Sequence, residues 1–224
     1  MTNGKKAGIV VAMSDVGISF HFDLMGAGLA LGYLLGTIPF GLFFTWASGA
    51  GDVRKIGSGN IGATNVLRSG KRWAAAATLL CDAAKGAVAV LLARYFLGHG
   101  TEVFAALGAV LGHLFPVWLR FKGGKGVATF LGVCFALYWP VGLLVAATWL
   151  GAALVWRISS LSALIAIALS SAYFLLLHQD SYAVLALVLS ALIYVMHRDN
   201  IRRLLRGTEP RIGAKASSGE AVGQ

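Results

Sequence analysis

Residues 73–97 read WAAAATLLCDAAKGAVAVLLARYFL, and this stretch decides the class of fold. As a helix it would reach about 37 Å, more than the roughly 30 Å of a bilayer's hydrocarbon core. Asp82 and Lys85 would stand about 13 and 18 Å along it, where an isolated charge costs around 3 kcal/mol or more. At i, i+3 they share a face and can pair. They are either a structural pair that organises a helix bundle or one wall of a polar cavity.

Six more apolar runs lie at about 22–48, 102–119, 127–139, 141–156, 161–177 and 182–196. Of the 224 residues 58% are hydrophobic and only 12% charged, and the mean hydropathy is +0.76. A soluble domain carries about 25% charged residues. The expected fold is therefore an all-α polytopic membrane protein. Run length alone leaves five, six or seven crossings open, because 127–139 and 141–156 meet at Trp139-Pro140. Charge decides for seven transmembrane helices: alternate crossings then place fifteen of the nineteen cations on one side. The positive-inside rule makes that side cytoplasmic, with the N-terminus outside and the C-terminus inside. Residues 1–20 read as a polar N-terminal extension, 21–209 as the membrane domain and 210–224 as a flexible cytoplasmic tail. Gly28, Gly32 and Gly36 recur every fourth residue, a spacing that lets helices approach closely.

The net charge of +10 would suggest nucleic acid in a soluble protein. Here the cations sit in short loops between apolar runs, which speaks against nucleic acid and for membrane orientation and anionic substrates. Cys81 and Cys134 lie inside apolar runs and offer neither a disulfide framework nor metal-ligand spacing.

Three polar, basic stretches interrupt the apolar pattern. In the first, Gly57-Ser58-Gly59-Asn60-Ile61-Gly62 fits G-x-G-x-x-G but follows a membrane helix rather than a strand, so dinucleotide binding is rejected. Its glycines can still turn backbone N–H groups toward an anion. Ser58, Asn60, Thr64 and Asn65 add neutral donors and Arg68 a forked cation. In the second, Lys122 and Lys125 flank Gly123 and Gly124. Gly126 and Thr129 then open a helix, whose N-terminal dipole favours negative charge. His113, just upstream, is either a candidate base or a structural histidine bonded to a carbonyl. The third places His197 and Asn200 at i, i+3, followed by Arg202, Arg203 and Glu209.

Together the segments DVRKIGSGNIGATNVLRSG (52–70), GHLFPVWLRFKGGKGVAT (112–129) and HRDNIRRLLRGTE (197–209) resemble one family. It is the bacterial integral-membrane glycerol-3-phosphate acyltransferase that uses acyl phosphate as donor. GTIPFG (36–41) and CDAAKG (81–86) match weaker patterns, with Thr37 where that family has serine. The resemblance implies a seven-helix bundle with its active site near the cytoplasmic face. It implies acyl phosphate and glycerol-3-phosphate as substrates, a setting in membrane lipid, and no cofactor or metal. Lysophosphatidic acid and phosphate would be the products. By resemblance, Gly123 to Thr129 cradle the acyl phosphate. Ser58, Arg68, Lys122, His197 and Asn200 surround glycerol-3-phosphate as the catalytic set. His197 is the obvious nominee for the base, whereas the resemblance suggests that the acceptor's own phosphate takes the proton, with His197 binding and orienting.

Two other classes fit less well. A phosphate transporter needs polar groups across the membrane, and beyond Asp82 and Lys85 there are few. A metal-dependent phosphotransferase needs an acidic cluster, and the inside loops offer only Asp52, Asp199, Glu209 and Glu220.

Overall fold

The computed structural model describes residues 10–13 and 18–213, with side chains from Phe22 onward. Two short antiparallel strands come first, β1 (Val10–Met13) and β2 (Ile18–His21), with Val10 opposite His21. The described part of the 1–20 extension is thus a ribbon, and the body that follows is all-α. The tail beyond Gly213 lies outside the described residues.

Each of the seven apolar runs forms helix. The first divides into α1 (Phe22–Gly36) and α2 (Phe40–Ala47), because Pro39 cannot continue the α1 ladder. A short α3 (Ala63–Leu67) precedes α4 (Arg72–Phe96), which is followed by α5 (Thr101–Leu114) and α6 (Val127–Leu137). The remaining helices are α7 (Trp139–Trp156), α8 (Ser159–Leu176), α9 (Asp180–Met196) and α10 (Arg198–Leu205). Five segments are long and apolar enough to cross a membrane: Phe22–Ala47, Arg72–Phe96, Thr101–Leu119, Trp139–Trp156 and Ser159–Leu176. The α9–α10 pair, bent by 66°, makes a sixth if read as one span. The 11 residues of α6 reach only about 16 Å, too short to cross alone. Length therefore supports five or six crossings where the sequence pattern gave seven.

The bundle is held by small residues inside and large ones outside. A Cβ on Gly32 would stand 2.0 Å from the Ala105 carbonyl oxygen, and one on Gly36 would stand 2.2 Å from that of Ala109. The predicted glycine face of α1 is therefore what brings it onto α5. Phe130, Ile167, Phe174, Leu189 and Ile193 fill the centre between α6, α8 and α9. Leu80, Tyr95, Leu154 and Leu176 point outward with 68–82% of their surface exposed, a face that only lipid covers favourably.

The depth of α6 positions the functional loops. Its Thr129 packs against Gly86 of α4, whose Cβ would lie 2.4 Å from the Thr129 carbonyl oxygen. At its other end the Ala136 and Leu137 carbonyls accept from the Arg94 guanidinium at 3.3 and 3.4 Å. So α6 crosses α4 near Ala83 and Gly86, about 17–21 Å along α4 from Arg72, with Gly132 set against the Ala83 carbonyl.

Candidate active site

The first loop is tied together by one side chain. Asn65, 3% exposed on α3, accepts from the Ser58 N–H at 3.0 Å. Its amide nitrogen donates to the carbonyls of Val53, Ile56 and Asn60 at 2.8–3.0 Å. Gly57 and Gly59 take φ of +51° and +70°, as this tight path requires. The N–H groups of Ser58, Gly59 and Gly62 are all engaged within the loop, by Asn65, Ile56 and Asn60. The stretch is therefore not the N–H cradle its glycines suggest; the Ser58 hydroxyl and the Asn60 amide are what it presents.

The second loop is also shaped by close packing. A Cβ on Gly123 would stand 2.1 Å from the His113 carbonyl oxygen, and one on Gly124 would stand 2.0 Å from His113 Nε2. The Gly123 and Gly124 N–H groups donate to Leu114 and His113 carbonyls at 3.1 and 3.0 Å. The free donors lie one step on. Gly126 caps α6 with φ +86° and no side-chain cap bond, so the N–H groups of its first turn have no partner within the helix. Arg120 and Phe121, at φ of 52° and 62°, hold the turn before Lys122 in left-handed backbone rarely adopted by such residues.

The third stretch lies at the α9–α10 bend. These segments enclose a cleft of about 370 Å³. Arg54, Lys122, Lys125, Arg198 and Arg203 line it, with Asp199 as the one carboxylate, and Ser58, Asn60 and Asn200 supply neutral polar groups. Lys125 donates to the Asn200 side-chain oxygen. The Asn200 amide donates to Glu209 Oε1 at 2.5 Å, as does the Ser160 hydroxyl at 2.6 Å. Arg203 Nε donates to the other Glu209 oxygen at 2.7 Å.

This network sets the ionisation of the site. Burial acts first on Lys125 and, with Arg203 and Arg68 nearby, outweighs the pull of Glu209 and Asp199, so its ammonium is lowered to about 8. Burial would raise Glu209, but hydrogen bonds from Ser160, Asn200 and Arg203 hold it below its ordinary value. His197, 2% exposed, is lowered to about 4, chiefly by burial. Its Nδ1 lies 2.8 Å from the Ile193 carbonyl, so Nδ1 carries the proton and the neutral ring keeps a lone pair on Nε2. At the rim, hydrogen bonds from Arg54 hold Asp52 down at about 2.

Of the residues singled out by sequence, Ser58, Asn60, Lys122, Gly123, Lys125 and Asn200 line the cleft. Arg68 packs its side chain against Gly57, and its charge is felt by Lys125. Glu209 stands behind Asn200 and bonds its amide, and His197, buried at the α9–α10 bend, feels the charges of Lys125 and Glu209. Gly62 caps α3, and Thr64 reaches Ser159 at 3.2 Å instead of the cleft. Asn65 spends its amide on the loop. His113 and Gly124 are buried beneath the second loop, Gly126 packs on Ile193, and Thr129 is fully buried against α4. Arg202, itself exposed, pairs with Asp199, which lines the cleft. Arg54, Arg198 and Ser160 belong to the site and were not singled out, and Arg203, named in the third stretch, was given no place in it. The three arginines were readable as orientation charges, whereas Ser160 stands just before the 161–177 run with nothing to mark it. Among the described residues no three His, Cys, Asp or Glu side chains converge as a metal site.

The sequence profile of the glycerol-3-phosphate acyltransferase family matches residues 27–207. The chain belongs to the glycerol-3-phosphate acyltransferase family. A relative from Cereibacter sphaeroides named glycerol-3-phosphate acyltransferase is 60% identical over 194 residues, covering 87% of this chain and 92% of the relative. One of the same name from Caulobacter vibrioides is 56% identical over 212 residues, covering 93% and 97%. Among solved structures, PlsY (YgiH), an integral membrane glycerol 3-phosphate acyltransferase, in its glycerol 3-phosphate form superposes with a TM-score of 0.80 at 38% identity. That match covers 84% of this chain and 96% of the neighbour. Its lysophosphatidic acid form gives 0.78 at the same identity, covering 84% and 95%. All three polar stretches, from Gly57 to Arg203, fall inside the family match.

Proposed function

We propose that the protein transfers an acyl group from acyl phosphate to the 1-hydroxyl of sn-glycerol-3-phosphate, giving 1-acyl-glycerol-3-phosphate (lysophosphatidic acid) and phosphate. One observation carries this reading: five cations line a cleft whose Gly123 and Lys125 come just before the uncapped N-terminus of α6. Two phosphates must be held at once. The α6 N-terminus with Lys125 suits the donor phosphate, because a helix start offers free N–H groups and a positive dipole end. Ser58, Lys122 and Asn200 suit the acceptor, with Arg68 and His197 supporting them from behind. The solved neighbour's glycerol 3-phosphate and lysophosphatidic acid forms support the acceptor and the product.

In the reaction the 1-hydroxyl oxygen bonds to the acyl carbon, the bond from that carbon to the phosphate oxygen breaks, and phosphate leaves with the electron pair. No covalent enzyme intermediate is needed, since phosphate is already a good leaving group. The hydroxyl proton goes to the acceptor's own phosphate. A phosphate monoester has its second pKa near 6, whereas His197 is lowered to about 4. The phosphate is the stronger base by about two units, and His197 is left to accept a hydrogen bond at Nε2 and orient.

The setting we propose is the bacterial inner membrane, crossed seven times with α6 as the short seventh segment. The N-terminus then lies outside, the C-terminus and the cleft face the cytoplasm, and neither metal nor cofactor takes part. The test is detergent-purified protein with glycerol-3-phosphate, palmitoyl phosphate and a chelator. Stoichiometric phosphate and lysophosphatidic acid would support the reading. Turnover with palmitoyl-CoA alone would overturn the donor, and silence with both donors in folded protein would overturn the reaction.

A further inference from the structure

Three charged or ionisable side chains lie inside the membrane body without touching the cleft. Asp82, Lys85 and His113 are 2%, 4% and 4% exposed, and none lines the site. Lys85 Nζ lies 2.7 Å from Asp82 Oδ1, and His113 Nδ1 lies 3.6 Å from that same oxygen. As packing alone the trio is hard to justify, since apolar residues of similar volume usually do as well or better. What charges add over shape is direction.

The two ends of the trio attach to opposite halves of the site. At one end Lys85 donates to the Ile38 carbonyl at 2.8 Å, at the break that begins α2. Two residues into α2, Gly41 is pressed on the first loop, where its Cβ would stand 1.7 Å from the Ile61 carbonyl oxygen. That loop presents Ser58 and Asn60. At the other end the His113 ring lies directly beneath Gly124, and the His113 carbonyl accepts the Gly124 N–H at 3.0 Å. That turn carries Lys122, Gly123 and Lys125. The trio is therefore a polar strut between the two loops, with its middle fixed in α4, in which Asp82 and His113 face each other across 3.6 Å without a hydrogen bond.

We propose that Asp82, Lys85 and His113 are positioning residues that set the separation of the two loops, and so of acceptor hydroxyl and donor carbonyl. This rests on the two-phosphate reading above. A strut of this kind touches neither substrate. Its loss misaligns two bound reactants, and a misplacement near 1 Å can cost about a hundredfold in rate.

The experiment uses the intact purified protein with His113→Ala, Asp82→Asn, Gly124→Ala and the double variant His113→Ala/Gly124→Ala. The expected result for His113→Ala and Asp82→Asn is a fall of at least about tenfold in kcat per folded enzyme, with both KM values within about threefold of wild type. Gly124→Ala collides with the ring and is expected to fall similarly. The double variant removes the collision and is expected to be no worse than His113→Ala alone, a non-additivity that marks ring and turn as one unit. A large rise in either KM with kcat kept would overturn the proposal by placing these side chains on a substrate. Unchanged specific activity with only a lower folded yield would overturn it as well. Amide exchange supplies a readout that needs no turnover. Segments 56–62 and 119–128 are expected to exchange faster in Asp82→Asn, and unchanged exchange in both counts against the strut even if the proposed reaction fails in wild type.

Discussion

Lys125 donates its ammonium to the side-chain oxygen of Asn200, so the turn before α6 and the helix after α9 close the cleft as one unit. Behind that bond stands Glu209, which takes hydrogen bonds from Asn200, Ser160 and Arg203. A single carboxylate thus fixes the direction of two groups that face the cleft.

Glu209→Gln replaces one acceptor oxygen by a donor and sets it against either the Asn200 amide or Arg203. Its side chain is only 6% exposed, so the mismatch is expected to cost about 1–3 kcal/mol of stability. Thermal unfolding should report the loss, and kcat/KM should fall further than stability alone explains, because Asn200 is free to turn.

Lys125 supplies a pH limb. With its ammonium lowered to about 8, the free enzyme loses that positive charge as pH rises through 8. The kcat/KM profile for either substrate is expected to fall there. A bound phosphate favours the charged form, so the matching limb in kcat should lie higher. Lys125→Arg, which stays charged, is expected to remove the limb from kcat/KM.

His197 makes the opposite statement about acid. Its pKa of about 4 leaves the ring neutral throughout the neutral range, so turnover should show no ionisation from His197 near its ordinary value of 6.5. A depressed histidine contributes stability that is fully present above its unfolded value and is lost as pH falls through the folded one. Acid unfolding of His197→Gln compared with wild type should differ between pH of about 6.5 and 4, with the variant less acid-sensitive. If His197→Ala abolished turnover at saturating substrates with both affinities intact, the base would be His197 and not the substrate phosphate.

Asn65→Asp keeps the size of the side chain and removes all three of its donations to the loop. The carbonyls of Val53, Ile56 and Asn60 are then left facing a carboxylate. We expect a loss of about 2–3 kcal/mol in stability and a raised KM for glycerol-3-phosphate, measured by unfolding and steady-state kinetics, because Ser58 is held by the same amide.

Two glycines of α1 make a matched pair. Gly32→Ala would put a methyl group 2.0 Å from the Ala105 carbonyl oxygen, while a Cβ on Gly26 meets nothing within 4 Å. The first change is expected to destabilise by about 1–3 kcal/mol through overpacking. The second should leave folded yield and melting temperature unchanged.

The helices were legible because lipid as solvent allows little else: each apolar run had to satisfy its own backbone, and each became helix. The loops were legible as places of unusual donor density. What misled was glycine, which serves an anion and a close contact equally well. Gly123 and Gly124 looked like an open phosphate turn, yet they are small because His113 lies under them, and the free N–H groups lie beyond them at α6. Asn65 looked like a ligand donor and is the tie of its own loop. The bond between Ser160 and Glu209 joins residues 49 apart, with no local pattern to announce it. The shortness of α6 was visible, but not its depth, which depends on Gly86 meeting Thr129.

That depth decides which reactant crosses the boundary between oil and water. On the proposed reading the start of α6 is the floor of the site, and α6 meets α4 about 17–21 Å along α4 from Arg72. A fatty acyl donor whose head reached this floor would keep its hydrocarbon among lipid tails from arrival to departure. Lifting such a chain into water would cost about 0.8 kcal/mol for every methylene, which no phosphate contact could easily offset. On that reading the meeting point is sunk into the bilayer, the journey is left to the small, soluble, charged partner, and five cations line the way down.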